Sequence, residues 1–578
     1  MSRRRRLVVV LAAGAAFALA APAAAWAHAY LIRTSPAASA TLNKAPAQLA
    51  MTYDEAVEPR FMVVSVTDAD GHQETSGRPF RSTSNPDTIV TPLKRVPEGW
   101  YLVFWRAISA DGHPVRGAFT FAVGPNPGPP PQFVIPSLTE GATTPGLLTF
   151  RWLSFLFFMT AIGLFCLRTL IARPIVERVP GASLRAVSVA FGVALALALI
   201  AIPVYVDIAT AQFAFHSVWD VAGNVPLMRS SAFGRGWLDL ELVLALFAAA
   251  AAIAIATDRP ENRQRTLAGL LSLCGALAAA AAALLVPALA GHAAQTPPKG
   301  LSVVLDWLHL AAGSLWLGGL IGLLVIWWSL GTARRTAGLG VSVPRFSHVA
   351  LGSVMVLIGS GVWATFIRLP TLATLWDTSY GDALIAKMAL LVTAMAVASG
   401  NLLRARPRLQ AAAAAGGTLG TGPARLLRGL VSGEVLLIVG ALFAAGILSS
   451  LPPPPKALAS IGAVSAHVGP GPANVVVEHG AYRLVFHISP NKAVVPDSFS
   501  VSITKNGKPL HGATVTSTFA MLDMEMPNLA YNLAEQSPGK YGRAANALVM
   551  VGHWGLSFEV EPPHDLPFTV TIIDHAVG

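Results

Sequence analysis

The residues best suited to metal chemistry near the start of the chain are His28, Asp111 and His113. Residues 1–27 have the basic, apolar and small-residue segments of a cleaved secretion signal, so His28 is expected to begin the mature chain. A terminal histidine offers a free amine beside its imidazole, and the two can chelate one metal ion. Asp111 and His113 share one face if their segment is extended. Two imidazoles, an amine and a carboxylate suit Cu(II).

A second group of ionisable residues belongs to the apolar part of the chain. Asp306 and His309 are one helical turn apart, and Trp316 lies two turns further along the same face. We expect His292 and Lys387 to approach this pair in the outer half of a helix bundle. Ionisable groups inside a bilayer are costly and mark functional sites. A hydrogen-bonded pair that only fixes helix packing is the alternative, and the sequence leaves it open.

A third group lies near the end of the chain and is rich in sulfur. Its candidate ligands are Met521, Met524, Met526, Met550 and His553. Thioethers favour Cu(I), so these residues are candidates for a Cu(I) site. Methionine is also an ordinary gap-filler in hydrophobic cores, and the sequence favours neither interpretation.

The composition is that of a membrane protein. The chain has 578 residues, of which 53% are hydrophobic and 12% charged, and its mean hydropathy is +0.56. Soluble domains carry about twice that charged fraction. The net charge of +11 is dispersed in short clusters between apolar segments, which argues against nucleic acid as a partner. The chain contains no Gly-x-x-x-x-Gly-Lys-Ser/Thr sequence, which argues against an ATP-driven pump.

Eight apolar stretches, each near the ~20 residues that cross a bilayer, are predicted between residues 147 and 450. The loops after the odd-numbered stretches carry fifteen arginines, whereas those after the second, fourth and sixth carry four basic residues. The positive-inside rule and the secretion signal therefore both place the two ends of the bundle outside. His348, near the cytoplasmic end of the sixth stretch, is interpreted as a helix-terminal histidine. The predicted stretches are about 150–172, 184–206, 237–256, 267–290, 301–329, 346–367, 383–403 and 430–450.

Segments of a different character flank the bundle. Residues 28–124 and 472–578 contain short runs of alternating apolar and polar residues, such as Gln48–Tyr53, bounded by turns rich in glycine and proline. This pattern predicts two β-domains outside the membrane, each a sandwich or barrel. Residues 125–146 and 451–471 are predicted linkers. The predicted fold is a multi-domain membrane protein with β-domains on either side of an eight-helix bundle, which occupies residues 147–450.

The N-terminal segment resembles the CopC family of periplasmic copper carriers. The matching residues are His28-Ala29, Thr34-Ser35-Pro36, Tyr53-Asp54-Glu55 and the run from Trp105 to Pro114. The resemblance implies a Greek-key β-barrel that binds Cu(II) through the amine and imidazole of His28, the carboxylate of Asp111 and the imidazole of His113. Glu55 matches a carboxylate near the metal in some members. The chain departs from the members with a methionine-rich Cu(I) loop, because Met62 is the only methionine between Val57 and Phe80.

The remaining segments carry two further resemblances. Residues 150–450 resemble the CopD family of copper-resistance membrane proteins, through Gly291-His292-Ala293-Ala294, Asp306-Trp307-Leu308-His309-Leu310 and Leu315-Trp316-Leu317-Gly318-Gly319. Residues 472–578 resemble the YtkA-like family through their Met-Pro and Gly-x-Trp segments. The CopD resemblance implies that copper passes through the bundle, with His292, Asp306 and His309 as candidates along its path.

Together these features predict a protein that is not an enzyme. It is expected to bind copper outside the plasma membrane and to carry it across, inward, in copper homeostasis and resistance. The expected partners are copper ions, the lipid bilayer and periplasmic copper chaperones. Two alternatives stay open: sequestration or export of copper for resistance, and a membrane oxidoreductase that uses copper or haem.

Overall fold

The computed structural model forms two compact units. The membrane unit comprises residues 143–209 and 228–453, and the β-unit comprises residues 28–142, 210–227 and 454–578. The structure describes residues 31–577 except for 39, 54–56, 109–113, 129–130, 132–143, 263, 295–297, 370, 373, 378, 415–421, 452–463, 494, 523–527 and 546.

The described part of the membrane unit contains eight helices that are long and apolar enough to cross a bilayer, which confirms the predicted number. They are α1 (Pro145–Cys166), α2 (Arg185–Ala214), α3 (Ala232–Thr257), α4 (Leu267–Ala290), α5 (Lys299–Ser329), α6 (Thr332–Arg368), α7 (Ser379–Gly400) and α8 (Gly422–Leu448). Shorter helical segments are Pro59–Phe61, Leu167–Ile171, Pro174–Arg178, Val221–Ser230, His292–Ala294, Thr374–Asp377, Asn401–Ala405 and Arg406–Ala414.

Helix α6 is longer than the apolar pattern indicates. It begins at Thr332, whereas the predicted stretch begins at about residue 346. The added turns carry Arg334 and Arg335, which raise no hydropathy signal but are good helix formers. His348 therefore lies well inside the helix rather than at its end, and its side chain is exposed.

Some of the loop arginines counted as orientation signals also have a structural role. Arg168 and Arg173 both pair with Asp258, at 2.6 Å and 3.0 Å, and all three side chains are largely buried. Arg265 donates to the carbonyl of Thr169 at 2.6 Å. These bonds join the end of α1 to the segment between α3 and α4.

Two neighbouring glycines explain how α5 packs at the centre of the membrane unit. A Cβ added at Gly318 would lie 2.5 Å from the Cα of Gly163, so α1 and α5 touch through their backbones. A Cβ at Gly319 would collide with the ring of Phe346 on α6. Because glycine lacks a Cβ, this pair lets two helices approach α5 closely.

The N-terminal part of the β-unit consists of two four-stranded sheets among its described residues. Their strand orders are β1-β3-β6-β5 and β2-β8-β7-β4. The rings of Tyr53 and Trp105, one from each sheet, meet edge to face with their centroids 5.7 Å apart. The strands are β1 (Leu31–Ser35), β2 (Thr41–Leu42), β3 (Gln48–Tyr53), β4 (Val63–Thr67), β5 (Phe80–Arg81), β6 (Thr88–Pro92), β7 (Gly99–Ile108) and β8 (Pro114–Val123).

The C-terminal part is one ten-stranded sheet within the described residues, in the order β10-β11-β12-β16-β15-β14-β17-β18-β9, with β13 beside β12. Ring contacts between Phe486 and Phe558 show that its two halves pack face to face. The strands are β9 (Val464–Val468), β10 (Ala473–His479), β11 (Tyr482–Ser489), β12 (Asp497–Lys505), β13 (Lys508–Pro509), β14 (Thr514–Met521), β15 (Leu529–Ser537), β16 (Lys540–Ala545), β17 (Gly552–Glu561) and β18 (Phe568–Ala576).

The two β-domains share one hydrophobic core. Buried residues of both domains form a single cluster, and Phe119 pairs through its backbone with Met550. The segment 210–227 also packs in this unit, because Arg106 donates to the carbonyl of Phe213 at 3.0 Å and lies over the ring of Phe215. The β-unit is therefore built from three separate parts of the chain.

Candidate metal centres

A cavity of about 550 Å³ lies within the membrane unit, between α5, α6 and α7. Asp306, His309 and Trp316 of α5 all line it, as expected from their shared helix face, and Lys387 of α7 lines it too. We call this space the outer cavity. The structure thus brings together three ionisable residues that the sequence singled out.

The imidazole of His309 is oriented by a hydrogen bond across two helices. Its Nδ1 lies 2.8 Å from the hydroxyl oxygen of Ser360 on α6. That hydroxyl lies 2.6 Å from the carbonyl oxygen of Val356, and when it donates its hydrogen there it accepts from the imidazole. In that arrangement Nδ1 carries the ring hydrogen, and the lone pair of Nε2 is left for a metal ion. A partner that fixes the tautomer in this way is the usual support of a metal-binding histidine.

Two methionines of α7, which the sequence analysis did not single out, also line the outer cavity. Met388 and Met395 are seven residues apart, and this spacing places both on one helix face. The seven-residue spacing of these two methionines is visible in the sequence and could have suggested a shared helix face. Methionine pairs at this distance are nevertheless common in apolar helices. With His309 they give the cavity one imidazole and two thioethers, which suit copper in its lower oxidation state.

Positive charge also borders the outer cavity. Arg368, at the end of α6, and Lys387 line the wall together with the carboxylate of Asp306. Two cations and one carboxylate give the cavity a net positive charge when Asp306 is ionised. We therefore expect the field in the cavity to favour release of a bound cation over its retention.

A second cavity, of about 230 Å³, contains a buried carboxylate that the sequence analysis did not identify. Glu434 of α8 is 2% exposed. Its Oε1 accepts from Trp316 Nε1 at 2.8 Å, and its Oε2 accepts from Asn401 Nδ2 at 2.9 Å. Among the described lysines and arginines, none lies within ion-pair distance of this carboxylate. We call this space the inner cavity.

The two cavities share part of their walls. Trp316, Val354 and Met395 line both. Trp316 thus lines the cavity that contains His309 and also donates to Glu434. His348 lines neither cavity. The sequence did not reveal that Glu434 lines a cavity, because a lone glutamate in an apolar run forms no helical spacing pattern with other ionisable residues.

Comparison with known proteins shows to which family the chain belongs. A CopC domain model matches residues 31–124, and a model described as Copper resistance protein D matches residues 341–448. The protein YobA of Escherichia coli (strain K12) is 31% identical over 99 residues, which cover 17% of this chain and 80% of YobA. This chain belongs to the CopC–CopD family of copper resistance proteins.

Two further relatives of this CopC–CopD protein carry copper in their names. Copper resistance protein C of Xanthomonas campestris pv. juglandis is 32% identical over 109 residues, 18% of this chain and 85% of that protein. Copper transport protein CutJ of Bacillus subtilis (strain 168) is 26% identical over 460 residues, 79% of this chain and 79% of CutJ. The similarity to CutJ extends far beyond the two domains that the family models match.

Several predicted ligands of the CopC–CopD protein lie outside the described residues. Residues 1–27, the predicted secretion signal, also lie outside the described residues, and the side chain of His292 is not described either. Strand β7 ends at Ile108 and β8 begins at Pro114, and these two residues are paired. The predicted ligands outside the described residues are His28, Glu55, Asp111, His113, Met524 and Met526.

The described members of the predicted Cu(I) group lie on different sides of their sheet. Met521 and Met550 are 5% and 1% exposed and belong to the core that the two β-domains share. His553 is exposed, and its ring stacks on that of His575, with centroids 4.5 Å apart. His575 was not singled out from the sequence, because its nearness to His553 depends on strand register.

The described residues of the β-unit contain two further polar clusters, one exposed and one buried. Asp68, Asp70 and His72 bring ligand atoms within 4.8 Å of one another at an exposed turn. The hydrogen bond from His72 to Asp68 raises the pKa of that imidazole. We interpret this cluster as a turn held by its own hydrogen bonds.

The other cluster is buried. Asp497 accepts from the backbone amides of Asn491 and Lys492 at 2.7 Å and 3.2 Å. Asn491 also donates to Asp574 at 2.9 Å. Burial raises the pKa of Asp497 to about 7 and that of Asp574 to about 6. These carboxyls fix the segment before β12 onto β18.

Proposed function

We propose that this CopC–CopD protein binds Cu(II) at its N-terminal β-domain and moves copper inward across the plasma membrane through its helix bundle. One observation carries the proposal: His309, Asp306, Met388 and Met395 face one cavity inside the membrane unit. Copper as the cargo is supported by the family and by CutJ, whose name describes a copper transport protein.

The donors of the outer cavity accept copper in either oxidation state. The Nε2 lone pair of His309 is oriented by Ser360, and imidazole is a ligand for both forms of the ion. The carboxylate of Asp306 suits Cu(II), whereas the thioethers of Met388 and Met395 suit Cu(I). The cations of Arg368 and Lys387 weaken the hold on the bound ion, as passage through a carrier requires.

The route continues from the outer cavity to the inner one. Trp316, Val354 and Met395 line both spaces, and Met395 is the one thioether that the two linings share. A rotation of the Trp316 ring breaks its hydrogen bond to Glu434 and frees one carboxylate oxygen for an arriving cation. Glu434 thereby becomes the second binding position along the path.

At the extracytoplasmic end, the proposed Cu(II) ligands are the amine and imidazole of His28, the carboxylate of Asp111 and the imidazole of His113, with Glu55 near the metal. The CopC match over residues 31–124 contains Glu55, Asp111 and His113 and begins three residues after His28, which agrees with a site in this domain. Both β-domains are proposed to lie outside the plasma membrane, where periplasmic copper chaperones can deliver the ion. The protein acts as a carrier and not as an enzyme.

Cellular accumulation of radiolabelled copper tests both transport and its direction. Cells that produce the protein are expected to accumulate more copper than cells without the gene, whereas an exporter would lower the content. His309→Ala should reduce the gain by on the order of tenfold or more, because an oriented ligand is lost. His348→Ala is the matched control, since this exposed histidine of α6 lines neither cavity.

Unchanged copper accumulation in cells with altered cavity residues would contradict the proposal. If His309→Ala cells accumulate as much copper as wild-type cells at equal protein levels, the outer cavity is not the path. Asp306→Asn checks the same cavity with a change of charge but little change of volume, and a reduced gain is expected there too.

A further inference from the structure

The outer cavity reaches the surface of the membrane unit between two of its helices. Helix α6 packs along α5 and α7 packs along α8, whereas α6 and α7 approach each other little within the described residues. Five side chains of α6 and α7 line the cavity and are also exposed, so the cavity opens sideways between these two helices. They are Ile358, Val362, Phe366, Met388 and Val392.

This side opening lies among apolar residues of membrane-spanning helices. Ile358, Val362 and Phe366 follow one another at a spacing of four residues and form one apolar edge of α6. Met388 and Val392 have the same spacing on α7. Both helices are long and apolar enough to cross a bilayer, and these residues lie within the two spans. In a membrane the opening therefore faces the hydrocarbon chains of lipids rather than water.

The outer cavity is also larger than a metal ion requires. Its volume of about 550 Å³ lies in the range of roughly 300–1,000 Å³ that small-molecule sites have, whereas one water molecule takes about 30 Å³. Gly361 leaves its wall open, because an added Cβ would meet only Cε1 of His309 among the described atoms of other helices, at 3.9 Å. Apolar cavities hold no ordered water, so an apolar chain is the fitting occupant of this space.

One end of the cavity carries two cations. Arg368 is the last residue of α6, and Lys387 lies about 12 Å beyond the start of α7 at Ser379. Both line the cavity, and Lys387 has no hydrogen bond or ion pair with a described residue. The carboxylate of Asp306 offsets one of the two charges, so an anion is attracted to this end of the cavity.

The short connection between α6 and α7 shows where this charged end lies in the bilayer. Trp376 and Leu372 of the connection are 72% and 73% exposed. Exposed tryptophans beside membrane helices mark the level of the lipid headgroups. Arg368 ends α6 next to this connection, and a lysine stem can extend its ammonium group toward the same level. Both cations are therefore within reach of a lipid phosphate.

We infer that an anionic phospholipid occupies the outer cavity, with its phosphate beside Arg368 and Lys387 and one acyl chain in the opening between α6 and α7. Basic pockets between membrane helices are known to bind such headgroups. An isoprenoid quinone would fit the apolar walls equally well, but its uncharged headgroup leaves Lys387 without a counter-ion. The inference does not rest on the proposed copper transport, because it uses only the shape and the charge of the cavity.

Native mass spectrometry of the full-length, delipidated protein in a non-ionic detergent tests the headgroup. The probes are dioleoylphosphatidylglycerol and dioleoylphosphatidylcholine, which have the same acyl chains and differ in headgroup charge. The anionic lipid should bind at least about tenfold more tightly than the zwitterionic one. Lys387→Met, which keeps most of the stem, should weaken the anionic lipid about fivefold. Lys299→Met is the matched control and should bind like the wild type, since exposed Lys299 begins α5 at the same end of the bundle and does not line the cavity.

A second pair of variants tests the place of the acyl chain. Gly361→Leu fills the space beside His309 and should weaken both lipids by roughly tenfold, because the chain loses its position. Gly359→Leu is its matched control and should bind both lipids like the wild type. Gly359 lies on the same helix, does not line the cavity, and a Cβ added there meets no neighbouring atom.

The outcomes separate a bound lipid from other occupants. Equal binding of the two lipids with no effect of Lys387→Met would overturn the anionic headgroup. Unchanged binding in Gly361→Leu would show that the lipid only coats the outer surface and would overturn the site. A quinone in place of a phospholipid in the extract of the untreated protein would do the same. Binding is measured without copper, so failure of the proposed transport leaves this result unaffected.

Discussion

The membrane unit and the β-unit place the same kinds of side chain in opposite surroundings. In the membrane unit, Met388 and Met395 face a cavity together with His309. In the β-unit, Met521 and Met550 are buried in the core, and His553 of β17 and His575 of β18 are exposed. A helix can turn one polar face toward a cavity, whereas a strand sends neighbouring residues to opposite faces. Residue type alone therefore does not mark a metal site.

Buried carboxylates show the same contrast. Glu434 lines a cavity and is held by two side-chain donors from other helices. Asp497 accepts from two backbone amides of its own neighbourhood and fixes a turn. A carboxylate that borders open space can exchange a partner for a cation, whereas one that fixes backbone amides cannot do so without local unfolding. We assign the first to function and the second to stability.

The largest effect on copper uptake is expected from replacing the two methionines of the outer cavity by leucine. Met388→Leu/Met395→Leu removes both sulfur atoms of the outer cavity and keeps its volume nearly unchanged. Copper accumulation should fall by on the order of tenfold, since two soft ligands are lost. The measurement is the same cellular uptake of radiolabelled copper.

The matched variant is Met521→Leu/Met550→Leu in the β-unit. Leucine and methionine have similar volumes, so this change should cost less than about 1.5 kcal/mol of stability at each position and leave uptake unaltered. If the β-unit variant loses uptake while the membrane variant retains it, the comparison between the two units is reversed.

A smaller effect is expected from Glu434→Gln. Glutamine keeps an oxygen for one of the two donors, Trp316 and Asn401, but removes the negative charge that attracts a cation. Uptake should fall about threefold to tenfold, an amount that corresponds to roughly 0.7–1.4 kcal/mol. Ser347→Ala, which alters the inner cavity without a change of charge, is the control. Full uptake by Glu434→Gln would leave the carboxylate with a packing role only.

The smallest expected effect is a pH dependence of the stability of the β-unit. Burial raises the pKa of Asp497 to about 7, from an ordinary value near 3.9 in the unfolded chain. The folded state thus favours the protonated carboxyl, so this contribution to stability is present below about pH 4 and is lost as the pH rises through 7. Scanning calorimetry should give a lower unfolding temperature for the β-unit at pH 8 than at pH 5.

Asp497→Asn should flatten this dependence, because asparagine keeps an acceptor for the amides of Asn491 and Lys492 without titrating. Glu559→Gln on the exposed face of β17 serves as the control and should preserve the slope. A steeper fall of stability in Asp497→Asn than in the wild type would contradict the assignment of the titration to Asp497.

The sequence by itself determined the architecture. Hydropathy is a local property, so eight spans and two flanking β-segments could be predicted before any contact was known, and the motif residues were enough to indicate the family. The common face of Asp306, His309 and Trp316 also followed from helical geometry alone. All three line the outer cavity, as that face requires.

Only the tertiary structure decided which residues are partners across elements. Ser360 orients His309 from 51 residues away, and Glu434 bonds Trp316 from 118 residues away. His575 meets His553 because of the register between β17 and β18, and a shift of one residue would send one of the two imidazoles to the other face. Helix packing and strand register are set by the whole core at once, so no local pattern in the chain can specify them.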